Sequence, residues 1–417
     1  MRIGIVLMST RFEPGTPASD GFIPLSAPEV RGNEWKYIKE CLDTGWVSSG
    51  GAFVDRFERD LAQQVGARRA VSTVTGTAAL HIALIVGGVA PDDEVLVPAL
   101  TFIAPANAVR YLGAWPVLID VESEYWQLDP QKVVDFLDRE CSWRDGQLRN
   151  NTTGRTVKAI LPVHILGHPV NMDDILEVAR KYELVVIEDA TESLGATYKG
   201  LKVGRLGDIG CFSFNGNKII TTGGGGMIVT ENPAWADRAK HLTTQAKLDP
   251  VEYVHDELGY NYRLTNIQAA MGCAQLENLD SFITAKRSIA AAYQKAFSNV
   301  PGITPMREAP WAQSIYWMYT VLVDEKSYGC DSRALMRHLG QQQIQTRPLW
   351  QPLSESLVYA ACQKYRVELS QELNRKALSL PCSVGLSAND LERVTSAIAE
   401  AAGRALADVP AGNLSFQ

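Results

Sequence analysis

The chain has 417 residues, 46% of them hydrophobic and 21% charged. That is two to three domain lengths of globular composition, which excludes a disordered or collagen-like chain. A formal net charge of −7 argues against a general nucleic-acid binder but leaves room for a local basic pocket around one anionic ligand.

In chain order, residues 1–21 read as an N-terminal extension, a first strand or a loose segment; MRIGIVLM runs at once into a polar Pro- and Gly-containing stretch, too short for a signal peptide. From about residue 66 to 245, short β-branched runs alternate with helical patterns. VSTV (71–74) leads into a helix over AALHIALIVGG, DEVLVPALTF (93–102) into APANAVRYLG, and WPVLIDV (115–121) into DPQKVVDFLDREC. VKAILPVHILG (157–167) precedes MDDILEVARKYE, and LVVIEDA (184–190), DIGCFSF (208–214) and GGMIVT (225–230) are further strand candidates. This alternation predicts a mostly parallel sheet with helices on both faces. The polar stretch 142–156 reads as a surface loop.

Residues 265–297 have apolar side chains at helical spacing without proline, a helix long enough to connect two domains. A strand (315–323), a helix (331–340), a second strand (IQTRPL) and a last helix opening at Ser387 predict a smaller α+β domain. The expected division is a large domain over 22–265, then a connecting helix and small domain over 266–417. Seven cysteines are scattered without a Cys-x-x-Cys pair, so no zinc ribbon is expected and reduced thiols in a cytoplasm are the simple reading. No apolar run reaches the length of a membrane span.

Three segments at predicted strand ends carry candidate chemistry, because ligands of open α/β sheets bind there. Thr75-Gly76-Thr77 opens a helix whose N-terminus suits a phosphate; an ordinary capped turn reads the same way. Glu188 and Asp189, with Glu192 shortly after, place acids where a metal, a ribose or a protonated ring nitrogen binds, or where a cap is needed. Lys218 stands between an apolar strand and four glycines, 223–226, a setting for a nucleophilic or Schiff-base amine as well as for a surface lysine. The glycines follow the lysine, unlike a P-loop. Together, an anion-binding turn, an acid and an embedded lysine are the protein parts of a pyridoxal phosphate (PLP) site. His164, His168 and His81 read as packing residues, and the aromatic run SIYWMYTVLV as a core strand.

At this point the sequence resembles the DegT/StrS family of sugar-nucleotide aminotransferases. The resemblance is carried by TGTAALHIAL (75–84), PALTFIAPANAV (98–109), IEDATESLGA (187–196), SFNGNKIITTGGGG (213–226) and GYNYRLTNIQAAMG (259–272). It implies an α/β, fold type I, aspartate aminotransferase-like architecture working as a homodimer with shared active sites. By position it implies Lys218 as the cofactor-binding amine and proton shuttle, and Asp189 on the pyridine nitrogen. Phe102 would stack on the ring, and Gly76, Thr77 and Ser213 would hold the phosphate. Glu192 would lie near the ring hydroxyl, and Asn261 would reach the partner's phosphate. FIPLSAPEVRGNE and DTGWVSSGG resemble the branch acting on UDP-linked 4-keto-6-deoxy-N-acetylhexosamines with L-glutamate as donor. The alternatives are a 3-keto or dTDP/GDP-sugar aminotransferase and a non-catalytic regulatory relative. Gly224 and Trp350 depart from the family's usual Glu and His.

Overall fold

The computed structural model describes residues 21–249 and 251–402. Its centre is an eight-stranded sheet. The strands are β1 (Arg69–Thr73), β2 (Glu94–Pro98), β3 (Trp115–Ile119), β4 (Val157–Ile160), β5 (Val185–Asp189), β6 (Ile209–Ser213), β7 (Gly226–Thr230) and β8 (Lys364–Tyr365). Across the sheet they run β1-β7-β6-β5-β4-β2-β3-β8. β7 alone is antiparallel to its neighbours. β2 and β7 are buried along their whole length, as expected of strands covered on both faces. The expected α/β sheet is present, and its parallel strands point their C-terminal ends to one edge.

Two helices near the N-terminus, α1 (Glu34–Thr44) and α2 (Ala52–Val65), pack on a later one, α4 (Asn266–Leu276); α3 (Gly76–Val86) lies against β6 and β7. The single connecting helix expected over 265–297 is two, α4 and Leu279–Phe297. The break has a cause: the Glu277 carboxylate accepts from Asn33 and Tyr37, each at 2.7 Å, and from Arg56 at 2.8 Å. The end of α4 is thereby tied to α1 and α2 while the next helix leaves toward the second sheet. That sheet has three antiparallel strands in the order Ile303–Pro305, Tyr319–Val323, Ala377–Leu380. Helix Ser332–Gln341 packs on its Ala377–Leu380 strand, and Ala388–Ala401, capped by Ser387 as expected, packs on Ser332–Gln341 and Leu279–Phe297.

Other expectations change. The loop 142–156 contains a hairpin, Cys141–Arg144 with Gln147–Asn150, turned by Asp145 and Gly146 at φ of 52° and 72°. IQTRPL forms no strand, because Ile344 bridges to Ile23 and Arg347 to Ser379. The strand expected over 315–323 starts at Tyr319, after a positive φ of 49° at Tyr316 breaks the extended run. Residues 1–20 lie outside the described residues, so the first-strand reading does too. The division expected at 265/266 is crossed by β8 on β3, by Ala312–Gln313 on Thr197–Tyr198 and by the Ile23–Ile344 bridge. Among the described residues no helix is long and apolar enough to cross a membrane.

Candidate active site

The turn from β1 into α3 builds an anion cradle. Thr75 Oγ1 caps the helix by accepting the Ala78 N–H at 3.0 Å. The N–H groups of Gly76 and Thr77 find no partner among the described residues and sit at the positive end of the helix dipole. A Cβ at Gly76 would lie 2.8 Å from Ser213 Cβ and 3.1 Å from its Oγ. Glycine thus lets α3 approach the end of β6, with the Ser213 hydroxyl beside the free amides.

β5 ends at Asp189, whose side chain is buried and accepts the Thr191 N–H at 3.0 Å. Burial pushes its pKa up, against the pull of Thr191 and Lys218. Its neighbour Glu188, also fully buried, serves the fold. It accepts the N–H groups of Gly204, Leu206 and Gly207 and contacts His164 Nε2 at 3.0 Å. His164 Nδ1 accepts the Val170 N–H, so the ring donates from Nε2. His168 lies between the Pro169 carbonyl and the Ala309 N–H. Both histidines are packing residues, as expected, and His81 is buried against Tyr260 and Tyr262.

Lys218 Nζ lies 3.6 Å from Glu192 Oε1 and 4.2 Å from the centroid of the Trp317 ring. The other Glu192 oxygen accepts the Leu166 N–H at 2.8 Å. Burial pushes the Glu192 pKa up to about 7, with Asp189 adding to it and Lys218 opposing. Trp317 donates its indole N–H to the Asn217 carbonyl at 2.8 Å, so the small sheet's leading segment roofs the lysine turn. Reading 315–323 as a core strand missed this. Tyr316 and Tyr319 are core residues, but the turn at Tyr316 aims Trp317 at the site. An indole N–H inside an apolar run needs a partner, and that was the available signal.

These groups line one cavity of ≈ 290 Å³. Gly76, Thr77, Phe102, Asp189, Glu192, Ser213 and Lys218 all face it, as do Gly224, Trp317 and Trp350. Phe102, beyond the end of β2, is 53% exposed in the single chain. Asn261 stands apart from the cavity of its own chain; it is exposed and bridges Thr244 through the backbone.

PLP fits this arrangement. The cradle stays open because residue 76 has no Cβ; two amides are free for phosphate oxygens, the Ser213 hydroxyl accepts the Asn215 N–H at 3.4 Å and keeps its O–H to donate, and Lys218 offers an amine on the cavity wall. Asp189 is a buried acid that gains from a cationic partner such as a protonated ring nitrogen.

Comparison with known proteins agrees. The sequence profile of the DegT/DnrJ/EryC1/StrS aminotransferase family matches residues 28–399. The chain is 40% identical over 377 residues to GDP-perosamine synthase of Caulobacter vibrioides, covering 90% of this chain and 97% of that one. It is 38% identical over 380 residues to GDP-perosamine synthase of Escherichia coli O157:H7, covering 91% and 98%. The crystal structure of S. venezuelae DesV in complex with a ketimine intermediate superposes with a TM-score of 0.80 at 30% identity, covering 89% of this chain and 95% of that one. A lysine, an acid and an open helix N-terminus gathered in one cavity are shared by descent: the chain belongs to the DegT/DnrJ/EryC1/StrS family and is a fold type I, PLP-dependent sugar-nucleotide aminotransferase.

Proposed function

We propose that the protein is a homodimer that moves the amino group of L-glutamate to C4 of a GDP-linked 4-keto-6-deoxy sugar. The observation that carries the nucleotide is similarity over nine-tenths of the chain to two proteins named GDP-perosamine synthase. It supports the GDP-sugar alternative ahead of the UDP-linked N-acetylhexosamine suggested by the N-terminal motifs.

Bound PLP supplies the electron sink for the charge left when a substrate proton is removed, and carries the amino group between two half-reactions. The chain's own groups do the rest. The Gly76 and Thr77 N–H groups and the Ser213 hydroxyl would hold the phosphate, and Phe102 would cover one ring face. Asp189 would keep the ring nitrogen protonated, because a buried carboxylate is stabilised by a neighbouring cation. Lys218 would be the attachment amine; once free, its Nζ would take the donor's Cα proton and give it to C4′ of the cofactor, and would return it in the opposite direction in the second half-reaction. Glu192 would lie near the ring hydroxyl, as the family resemblance implies. The keto acid leaves before the sugar enters, which is ping-pong chemistry.

Dimer formation is supported by apolar side chains left exposed on the single chain, among them Trp35, Trp46, Leu248, Tyr253 and Leu258. Asn261 follows the last of these in sequence and is not among the residues lining its own chain's cavity; the family resemblance implies that it would reach the partner's phosphate. A cytoplasmic setting is in keeping with seven cysteines that are all free and buried.

Purified enzyme with L-glutamate is presented with GDP-, UDP- and dTDP-linked 4-keto-6-deoxy sugars. The GDP sugar is expected to have the highest kcat/KM, by about tenfold or more, corresponding to ~1.4 kcal/mol of transition-state discrimination. A higher kcat/KM with a UDP-linked N-acetylhexosamine would overturn the nucleotide assignment.

A further inference from the structure

Lys286 lies on helix Leu279–Phe297 and is 3% exposed. Among the described residues no carboxylate stands within ion-pair distance of it. Its Nζ donates to the Trp317 carbonyl at 2.8 Å and to Cys382 Sγ at 3.5 Å. Taking an amine headgroup out of water without an acid beside it costs stability, and a methionine of similar length fills such a hole without that cost. The Trp317 carbonyl would still have a weak donor, the Cys382 thiol at 3.5 Å. Packing alone therefore gives no reason for a lysine at this position.

The reason lies on the other side of Trp317. Next to Lys286, Arg287 donates to the Ser314 carbonyl at 2.6 Å and pairs with Glu308. The helix thus grips the segment 314–317 at two carbonyls, one on each side of Tyr316, whose φ of 49° makes the turn that aims Trp317 inward. The Trp317 indole N–H is tied to the Asn217 carbonyl at 2.8 Å, and the ring centroid lies 4.2 Å from Lys218 Nζ. Trp317 lines the cavity, and Lys286 is not among the residues that do. Lys286 is joined to the Lys218 amine through one residue, by way of its backbone.

We propose that Lys286 is a positioning residue for transamination: by fixing the Trp317 backbone it holds the indole against Lys218 and confines the swing of that amine. Lys286 touches neither substrate nor cofactor, so its loss slows the chemistry without weakening substrate binding. The inference rests on the reading of Lys218 as attachment amine and proton carrier, and not on the identity of the sugar.

The test compares holoenzymes of wild type, Lys286→Met, Trp317→Ala and the double variant in single-turnover reactions with L-glutamate, followed by the cofactor's visible absorption. Lys286→Met is expected to keep the cofactor and to melt at the wild-type temperature or above it. The visible circular dichroism that fixed surroundings impose on the bound cofactor should weaken. The maximal rate constant should fall about tenfold while the half-saturating glutamate concentration stays within about twofold. In the Trp317→Ala background the same change should alter the rate by less than about twofold, because the residue it acts through is gone. Cys382→Ala, which leaves the lysine its carbonyl, should match wild type within about twofold.

An unchanged rate in Lys286→Met overturns the proposal. A lowered melting temperature or failure to fold overturns it too, because the lysine then serves the fold. So does an equal fall in the Trp317→Ala background, because Lys286 then acts by another route, or the same loss in Cys382→Ala, because loosened packing then suffices. A wild type inert with L-glutamate removes the donor assignment alone, and the comparison is made with the amino acid that it accepts. Turnover by Lys218→Ala, run beside the others, would remove the attachment-amine reading and the proposal with it.

Discussion

Glu192 and Lys218 stand 3.6 Å apart, yet burial pushes the Glu192 pKa up to about 7, far enough to favour the protonated carboxyl over the ion pair as pH falls below neutral. The sign of the linkage follows. A folded-state pKa raised above the ordinary 4.5 contributes stability fully present below that value and lost as pH rises through about 7. In the cofactor-free protein, Glu192→Gln should remove this loss, flattening the dependence of stability on pH between 5 and 8 by about 1–3 kcal/mol. Denaturation midpoints of wild type and variant at both ends of that range measure it; parallel pH profiles would show that Glu192 does not titrate there. Asp189→Asn should retain cofactor but slow both half-reactions by roughly a hundredfold or more, since an amide does not stabilise a charged ring nitrogen. Single-turnover rates with L-glutamate check this, and an unchanged rate would contradict it. At this scale the sequence was informative where chemistry is written in a short segment, as at Lys218 and Asp189. Trp317 was hidden because its role depends on a backbone turn at Tyr316 that apolar patterning does not show.

Among the elements, the strands of the large sheet were legible because each is a short apolar run followed by a helical pattern. The missed hairpin at 141–150 was also written in the sequence. Asp145-Gly146 is a two-residue turn with both φ values positive, and Asp-Gly between potential strands is a strong hairpin signal. The polar composition of the stretch masked it. The split of the connecting helix was not legible, because it depends on Glu277 meeting Asn33, Tyr37 and Arg56 from more than two hundred residues earlier. The α4 capping box ties element to site, since Gln268 both closes the box and holds the Gly224 carbonyl. Thr265→Ala should cost about 1 kcal/mol of stability. A denaturation curve checks this, and an unchanged midpoint would contradict it.

In the whole molecule, the sheet gathers residues from distant parts of the chain at the C-terminal ends of its parallel strands, and the small sheet closes over them through Trp317. Sequence spacing suggested that Asp189 and Lys218 return to one edge; which residues complete the site from a second chain depends on an interface that one chain does not contain. In the proposed two-fold dimer each subunit's Asn261 loop would lie against the other's cavity. Lys218→Ala and a variant with Asn261 and Arg263 both replaced by Ala should each be inactive and should complement when mixed. Random pairing makes about half the dimers hybrids with one intact site, so activity should recover to roughly a quarter of wild type per subunit. Subunit exchange without recovery would place Asn261 in its own chain's site or in none. The most direct measurement for the whole account is the fate of the nitrogen. With ¹⁵N-labelled L-glutamate and a GDP-linked 4-keto-6-deoxy sugar, wild type should yield a GDP-amino sugar carrying the label together with the glutamate-derived keto acid, and Lys218→Ala should yield neither. A nucleotide sugar recovered without ¹⁵N while labelled glutamate is consumed would contradict transamination by this site.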